Sequence, residues 1–422
     1  MREDIKKRIE EVRSGQVPEG YCKVHPYVIP DDWKVVKLGN ITKRTSRPNK
    51  DGQDRPAYSI NNRKGFVPQS EQFEEGSYED LDKSAYKIVR KGEFAYNPAR
   101  VNVGSIGRLR DAEEVAVSSL YVCVSVDDKV DGEYFDAWTK SRDFYKETVR
   151  NTEGSVREYL FYENFANMRM PIPMFAEQQK IAEILATCDR VIELKQQLLE
   201  EKRRQKQWLM QKLLSGEIKV SQYSGEYKTI KVRDLADSLT GFPFDSDAFS
   251  EDGIRLMRCG NIGSGKTTWE SKATVFWPTT DSKLAAFALQ TGDVVIGMDG
   301  ASVGKSCAMI TDVDLPCYLV QRVTRLRSAY PVLLFQWFRS AKFIDYVKSR
   351  KTVTAIPHIS EQDILEFEIC VPQDDVSIRR IECILSNADK AISAMEKEIA
   401  EWQQKKKALM QLLLTGLVRV NA

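Results

Sequence analysis

Only two histidines, His25 and His358, occur in 422 residues, and they lie far apart in the chain. None of the eight cysteines forms a Cys-x-x-Cys pair. A tetrahedral zinc site or a Cys–His nucleophile needs such residues in closely spaced sets, so both chemistries are disfavoured. The thiols (Cys22, Cys123, Cys188, Cys259 and Cys307 among them) read as reduced structural residues of a reducing compartment. Long apolar runs are missing too. The stretch Ala285 to Leu289 is far from the roughly 20 residues that cross a bilayer. The opening MREDIKKRIEEVRSG has a charged, helical pattern and lacks the apolar centre of a secretory signal, which makes the cytoplasm the expected location.

Neither sign of charge dominates, since 63 Lys and Arg against 61 Asp and Glu leave a formal net charge of only +2. Its distribution is less even. Between positions 37 and 64 lie Lys37, Lys43, Arg44, Arg47, Lys50, Arg55, Arg63 and Lys64 against Asp51 and Asp54. Between positions 322 and 351 lie Arg322, Arg325, Arg327, Arg339, Lys342, Lys348, Arg350 and Lys351 against Asp345 alone. Such clusters can hold phosphates, or form an ordinary solvated face. The acids gather elsewhere, between Glu71 and Asp82.

What the chain does have is a duplication. Glu177 to Val220 (EQQKIAEILATCDRVIELKQQLLEEKRRQKQWLMQKLLSGEIKV) aligns without a gap on Ser377 to Val420 (SIRRIECILSNADKAISAMEKEIAEWQQKKKALMQLLLTGLVRV), at an offset of 200. Ile181 falls on Ile381, Asp189 on Asp389, Leu209-Met210-Gln211 on Leu409-Met410-Gln411, and Gly216 on Gly416. Steps of four and three give each copy a heptad seam. One seam runs Ile181, Leu185, Cys188, Ile192, Lys195, Leu199, Lys202, Lys206, Leu209, Leu213. The other runs Ile381, Leu385, Ala388, Ile392, Met395, Ile399, Trp402, Lys406, Leu409, Leu413. Gly216 and Gly416 can take the left-handed conformation that ends a helix. At ~1.5 Å per residue, about 39 residues make a rod of roughly 58 Å, and a rod with one apolar seam needs a partner; the other copy is the obvious one.

The stretches before the rods correspond more loosely. Trp33 to Ile41 resembles Tyr227 to Leu235, and Gly92-Glu93-Phe94 followed by Val103 to Gly107 parallels Gly292-Asp293-Val294 followed by Ala301 to Lys305. Arg142 to Tyr145 parallels Lys342 to Asp345, and Pro171 and Pro173 precede the first rod as Pro372 precedes the second. Short β-type runs broken by Gly, Asn and Pro (VAVSSLYVCVSV, DVVIGM, PCYLVQRVTRL) precede short helices around Tyr134–Val149 and Val332–Lys348. Each unit is then an α+β module followed by a rod, written twice.

Two motifs tempt. Gly260 to Thr267 satisfies G-x-x-x-x-G-K-[ST], but a phosphate-binding loop must open a helix, and Thr267 to Phe276 reads as extended. Tyr96-Asn97-Pro98-Ala99 is similar to the Asn-Pro-Pro-Tyr loop of adenine methyltransferases, yet it lacks the second proline, the aromatic ring that stacks on a flipped base, and a preceding S-adenosylmethionine fold. Asp299 and Glu158 lie near glycines without the spacing of a nuclease.

The ordered set resembles the specificity (S) subunit family of type I restriction-modification systems. The residues that carry this are the start at Trp33 to Ile41, the Glu177-Gln178-Gln179-Lys180-Ile181-Ala182-Glu183-Ile184-Leu185 opening of the first rod, its Leu209 to Gly216 close, and their repetition. Tyr96 to Gly107 resembles a run common in target-recognition domains. The second rod departs at its start, where Asp375 to Arg380 replaces the Glu-Gln pair. The resemblance implies an α+β fold with two globular α/β target-recognition domains in pseudo-two-fold arrangement, separated by two long antiparallel coiled-coil helices. The implied division is an N-terminal helix and linker at 1–30, recognition domains at 31–175 and 217–373, and spacer helices at 176–216 and 374–417. It implies recognition of a bipartite, asymmetric double-stranded DNA site, with rod length fixing the half-site separation. It also implies no active site in this chain of a prokaryotic cytoplasm. Two modification (methyltransferase) subunits that methylate adenine would dock on the helices, and restriction-translocase subunits would add cleavage. S-adenosylmethionine, ATP and Mg are expected only on those partners. The alternatives are a P-loop nucleotide-binding protein and a structural coiled-coil adaptor.

Base edges are read by side chains on polar loops, while Lys and Arg on phosphates fix register. On that ground the DNA-binding candidates of the first module are Arg44, Arg47, Asn61, Asn62, Arg63, Lys64, Arg100, Asn102, Arg108 and Arg157. In the second they are Arg258, Asn261, Ser264, Lys266, Thr268, Lys305, Arg322, Lys351 and Thr354. Gln196, Gln197, Glu200, Arg203, Arg204 and Gln207 are the subunit-binding candidates on the first rod. Ile5, Ile9 and Val12 give the first 20 residues an amphipathic helix that would pack on the rods.

Overall fold

The repeated segments are two helices of equal length, Phe175–Leu214 and Asp375–Leu414, each of 40 residues. A computed structural model describes residues 3–50, 53–72, 83–153, 159–220, 226–269, 274–350 and 357–420. The chain divides into two compact units, Met1–Lys195 with Glu398–Ala422, and Gln196–Lys397, so each long helix contributes one half to each unit.

In the first unit a four-stranded antiparallel sheet runs Ile106–Arg108, Phe94–Tyr96, Val122–Val126, Thr42–Thr45. A second sheet places Glu114–Val117 parallel to Ala57–Asn61, and Arg169–Ile172 pairs with Lys34–Lys37. The second unit repeats this plan. Its four strands run Cys307–Met309, Val294–Gly297, Val323–Ser328, Ala236–Thr240 in the same spatial order. Ile254–Met257 lies parallel to Cys317–Leu319, and Tyr227–Lys231 pairs with Glu368–Pro372. Two short helices follow in each, Gly132–Thr139 and Arg142–Asn151, then Pro331–Phe338 and Ala341–Arg350. The hydroxyls of Ser141 and Ser340 accept from the amides of Phe144 and Phe343 and start the second helix of each pair.

The offset of 200 therefore holds for the long helices but not throughout the modules. Ile106 pairs with Tyr96 as Cys307 pairs with Ile296, an offset of 201, so the second module carries one more residue before that strand. The helix caps Ser141 and Ser340 differ by 199.

The long helices close each module's core. In the first unit Ile181, Leu185, Leu413 and Leu414 join a cluster with Trp33, Phe94, Tyr134 and Trp138. In the second, Ile381, Leu385, Leu213 and Leu214 join one with Val294, Leu326, Trp337 and Phe343. The seam expected from the heptads is the buried stripe, and it extends to Ile192, Leu199 and Ile399. Both helices end on left-handed glycines, Gly216 at φ 76° and Gly416 at φ 70°. The N-terminal helix Glu3–Arg13 belongs to the first unit, where Arg8 donates to the Leu417 carbonyl.

Polar contacts set the register of the seam. In the first unit Lys406 meets Asp189 and Lys195 meets Glu398; in the second, Lys206 meets Asp389 and Arg203 meets Glu396. The paired numbers fall on one helix as they rise on the other, so the halves run antiparallel within each unit. Lys206 and Lys406 occupy the seam where an apolar residue would sit, and each ammonium finds the aspartate that is its repeat's counterpart.

The two pairs differ in surroundings. Asp189 is exposed and meets Lys406 on its edge. Asp389 also accepts from Gln336 Nε2 at 2.7 Å and Arg339 Nη1 at 3.1 Å, and Lys206 beneath it is buried. Burial alone would raise the Asp389 pKa, but Lys206, Arg339 and Gln336 outweigh it and hold the carboxyl below its usual range. Because the folded-state value is depressed, this stabilisation is present above the unfolded value near ~4 and is lost as pH falls through the folded one. Asp389→Ala should strand the Lys206 ammonium and cost about 3–5 kcal/mol at neutral pH. Asp189→Ala should cost within ~1 kcal/mol. Denaturant unfolding of both variants at pH 7 and pH 4 checks this; equal costs would contradict it.

Candidate nucleic-acid interface

The strands Ala57–Asn61 and Gly65–Pro68 form a hairpin whose tip is Asn62, Arg63 and Lys64, all exposed. Asn61 Oδ1 accepts from the amides of Arg63 (2.8 Å) and Lys64 (3.2 Å), so this side chain builds the turn. The loop after Tyr96 packs against the tip. Ser105 Oγ donates to the Ile60 carbonyl at 2.7 Å, and at Gly104 (φ 93°) a Cβ would come within 3.0 Å of the Asn62 carbonyl oxygen. The result is a cleft of about 300 Å³ that brings together Asn62, Arg63, Lys64, Asn102 and Arg108.

Reading the sequence missed three further residues of this cleft, Arg110, Lys140 and Tyr145. Glu133 and the buried Asp136 hold three of its cations: Arg108 donates to Glu133, Arg110 to both acids, and Lys140 to Asp136 at 2.6 Å. Burial alone would raise the Asp136 pKa, but Lys140 and Arg110 bring it below the usual carboxylate value. Arg63 and Lys64 are exposed at the tip and carry no ion pair among the described residues. Of the remaining candidates Arg100 is exposed beside the cleft, and Arg44 lies 3.6 Å from Glu163. Arg47 is tied to Glu93 at 2.8 Å, and Arg157 lies outside the described residues.

In the second module the corresponding loop is again pinned by a serine, with Ser306 Oγ donating to the Ile262 carbonyl at 2.9 Å. Arg258, Ser264, Lys266 and Lys305 are exposed, and Thr268 is half-buried. Asn261 departs from expectation. It is buried, its Oδ1 accepts from the Arg258 amide and its Nδ2 donates to the Thr268 carbonyl, so it supports the loop from inside. Arg322 is exposed, and Lys351 and Thr354 lie outside the described residues.

The nucleotide-binding alternative is overturned here. Ile262 bridges Thr267 as a hairpin, and no helix opens at Thr267 or Thr268. The Gly263 and Gly265 amides are taken by the carbonyls of Lys266 and Cys307. The Thr267 hydroxyl, which would serve a metal ion, donates to buried Asp314 at 2.6 Å, as does Trp269 Nε1 at 2.8 Å. Tyr96 is equally occupied, since its ring is fully buried and stacked on Phe165 at 5.0 Å.

Gln196, Gln197, Glu200, Arg203, Arg204 and Gln207 are all exposed on the first long helix. Arg203 links Glu200 to Glu396, and Arg204 meets Glu201 at 3.3 Å. Arg203 and Gln207 border a cavity of about 760 Å³ in the second unit, together with Lys206, Trp337, Arg339 and Asp389. Leu198 and Trp208 are exposed on the same helix, and their signal was present: they are apolar and off the seam. Among the described residues no helix is long and apolar enough to cross a membrane, and no group of three potential metal ligands occurs.

A family model described as type I restriction modification DNA specificity domain matches residues 30–202. The chain is 24% identical over 426 residues to the type I restriction enzyme MjaVIII specificity subunit of Methanocaldococcus jannaschii, covering 96% of this chain and 97% of that protein. It is 26% identical over 264 residues to the EcoAI specificity subunit of Escherichia coli, 60% of this chain and 43% of the relative. Among solved structures, the type I S subunit from M. genitalium superposes with a TM-score of 0.56 at 12% identity, covering 93% of this chain and 97% of that one. A chain from a study of complex assembly and conformational transition in a type I system gives a TM-score of 0.55 at 15% identity, covering 93% and 100%. The adaptor alternative gains no support from these.

Three measurements follow from the site. Arg63→Ala and Lys64→Ala should each weaken duplex binding and flatten its log–log salt dependence by about 0.9 for each phosphate no longer neutralised. An unchanged slope in both would place the tip away from the backbone. Thr267→Val should lower stability by about 1–3 kcal/mol, because Asp314 Oδ1 then keeps only Trp269 Nε1 as its donor. ATP should leave the Tm of the parent chain unmoved; a rise with ATP would restore the nucleotide reading.

Proposed function

The chain belongs to the specificity-subunit family of type I restriction-modification systems, and we infer from this that it recognises DNA sequence on behalf of a larger complex. The observation that carries the reading is one architecture written twice with unlike loops. Both modules have the same order in the four-stranded sheet and a serine-pinned loop, but the residues at the loop tips differ. Each module then reads its own half of a bipartite, asymmetric site, with exposed Lys and Arg on phosphates and loop side chains at base edges.

The long helices are common to both modules, so they are the surfaces a repeated partner would use. Two methyltransferase subunits are the proposed partners, contacting residues such as Gln196, Glu200, Arg204 and Gln207, with exposed Leu198 and Trp208 as apolar anchors. Those subunits supply S-adenosylmethionine and the adenine chemistry. Restriction-translocase subunits, with ATP and Mg, would add cleavage. This chain's own part is recognition.

Methylome sequencing of cells with and without the gene tests the proposal. One bipartite motif with two different halves should disappear with the gene, and about two methyltransferase chains should co-purify per copy. Methylation unaffected by the deletion would overturn it.

A further inference from the structure

Strand register makes the two modules comparable residue by residue at the edge of the site. Val122 pairs with Tyr96 as Thr324 pairs with Ile296, so Leu120 and Arg322 hold the same station, two residues before the paired position. The Leu160 amide donates to the Pro98 carbonyl as the Ile359 amide donates to Met298, both at 3.0 Å. Tyr159 therefore corresponds to His358, and Ala99 to Asp299. One corner carries Leu120, Ala99 and Tyr159 in the first module, and Arg322, Asp299 and His358 in the second.

The chemistry of that corner is opposite in the two. Leu120 is 76% exposed, unusual for a leucine with no partner surface on its own chain, and Tyr159 stacks on Phe161 at 5.6 Å. In the second module the Asp299 carboxylate is largely covered and joins two side chains, Arg322 Nη1 on one oxygen and His358 Nδ1 on the other. Burial alone would raise the Asp299 pKa; the Arg322 and His358 contacts bring it below its usual value, so it serves as an anion. Arg322 has φ 68°, the only positive φ at a non-glycine among the described residues. Its carbonyl accepts from the Met298 amide at 2.9 Å and from Cys259 Sγ at 3.0 Å, contacts that hold the turn in this conformation. Such backbone strain at a solvent-facing arginine is kept where the side chain's direction matters. The Arg322 side chain is 67% exposed and only its Nη1 is tied to Asp299, so most of its donors remain open to a ligand.

We propose that Arg322, positioned by Asp299 and His358, reads a guanine in the half-site of the second module, and that this corner is a specificity station where the first module presents Leu120 instead. An arginine aimed by a carboxylate suits bidentate contact with guanine O6 and N7. A lone apolar side chain at the same station suits the thymine methyl group. The inference rests on the proposed reading of DNA, because Arg322 needs a duplex before it.

The test is methylome sequencing of the complete complex carrying Arg322→Lys, Asp299→Asn or Leu120→Ala. Lysine keeps the positive charge for a phosphate but cannot form the two parallel hydrogen bonds. Arg322→Lys should relax one G·C position in one half-site by about tenfold or more, leaving the other half-site intact. Asp299→Asn should relax the same position, and Leu120→Ala a position in the opposite half. If Arg322→Lys lowers methylation evenly at every site with the motif unchanged, Arg322 contacts only phosphate and the inference fails. The same holds if motif and level are both unchanged. Absence of any methylation dependent on the parent chain would remove the underlying reading, and this inference with it.

Discussion

The apolar seam of each long helix cannot be left in water, and it is interrupted by lysine ammoniums that cannot be buried alone. Both constraints have one solution within each unit. The half-helices run antiparallel, so that Lys406 finds Asp189 in one unit and Lys206 finds Asp389 in the other. A parallel or slipped arrangement would leave buried Lys206 without its carboxylate, at several kcal/mol, and the more exposed Lys406 without Asp189, at about 1 kcal/mol or less. The ion pairs thus act on register more than on net stability, while Ile181, Leu185, Leu413 and their repeats supply the burial. The recognition loops depend on that register because the modules' cores include the helix ends.

The two units share a framework and differ in which residues tie the module to its helices. In the first, buried Glu177 receives Trp33 Nε1 at 3.1 Å and Arg419 Nε at 2.8 Å, and Gln178 accepts from the Asp131 amide. In the second, Ser377 and Ile378 stand at those places and Ile378 joins the apolar core. There Glu382 takes over, accepting from the amides of Val332 and Leu333, while Asp389 gathers Gln336 and Arg339. The departure at the start of the second helix is a different fastening with the same outcome.

Much of this was legible in the sequence, for local reasons. A heptad seam, a glycine stop and a gapless repeat are patterns in adjacent residues, and α+β modules followed by helices come directly from them. Asn61 to Lys64 was readable as a projecting turn because Asn and Gly dictate turn geometry. What was hidden depends on long-range neighbours. Asn61 and Asn261 look alike in sequence, but Asn261 is turned inward by the Thr268 carbonyl. The Gly260–Thr267 loop spelled a nucleotide site in letters, and only Asp314, 47 residues from Thr267, shows where its hydroxyl is spent. Lys140 and Tyr145 enter the cleft because the short helices fold back on it, which no spacing rule in the chain reveals. The correspondence of Arg322 with Leu120 needed strand register, since it stands at an offset of 202, two more than that of the helices.

The central claim is that two unlike modules on a repeated helical framework each contribute an independent half of the recognised sequence. The most direct measurement replaces residues 217–373 with a second copy of residues 31–175 and determines the motif methylated by the resulting complex. The account predicts a motif made of two copies of one half-site, the one lost from the parent being that of the replaced module. Retention of the parent's asymmetric motif, or a new sequence unrelated to either half, would contradict it.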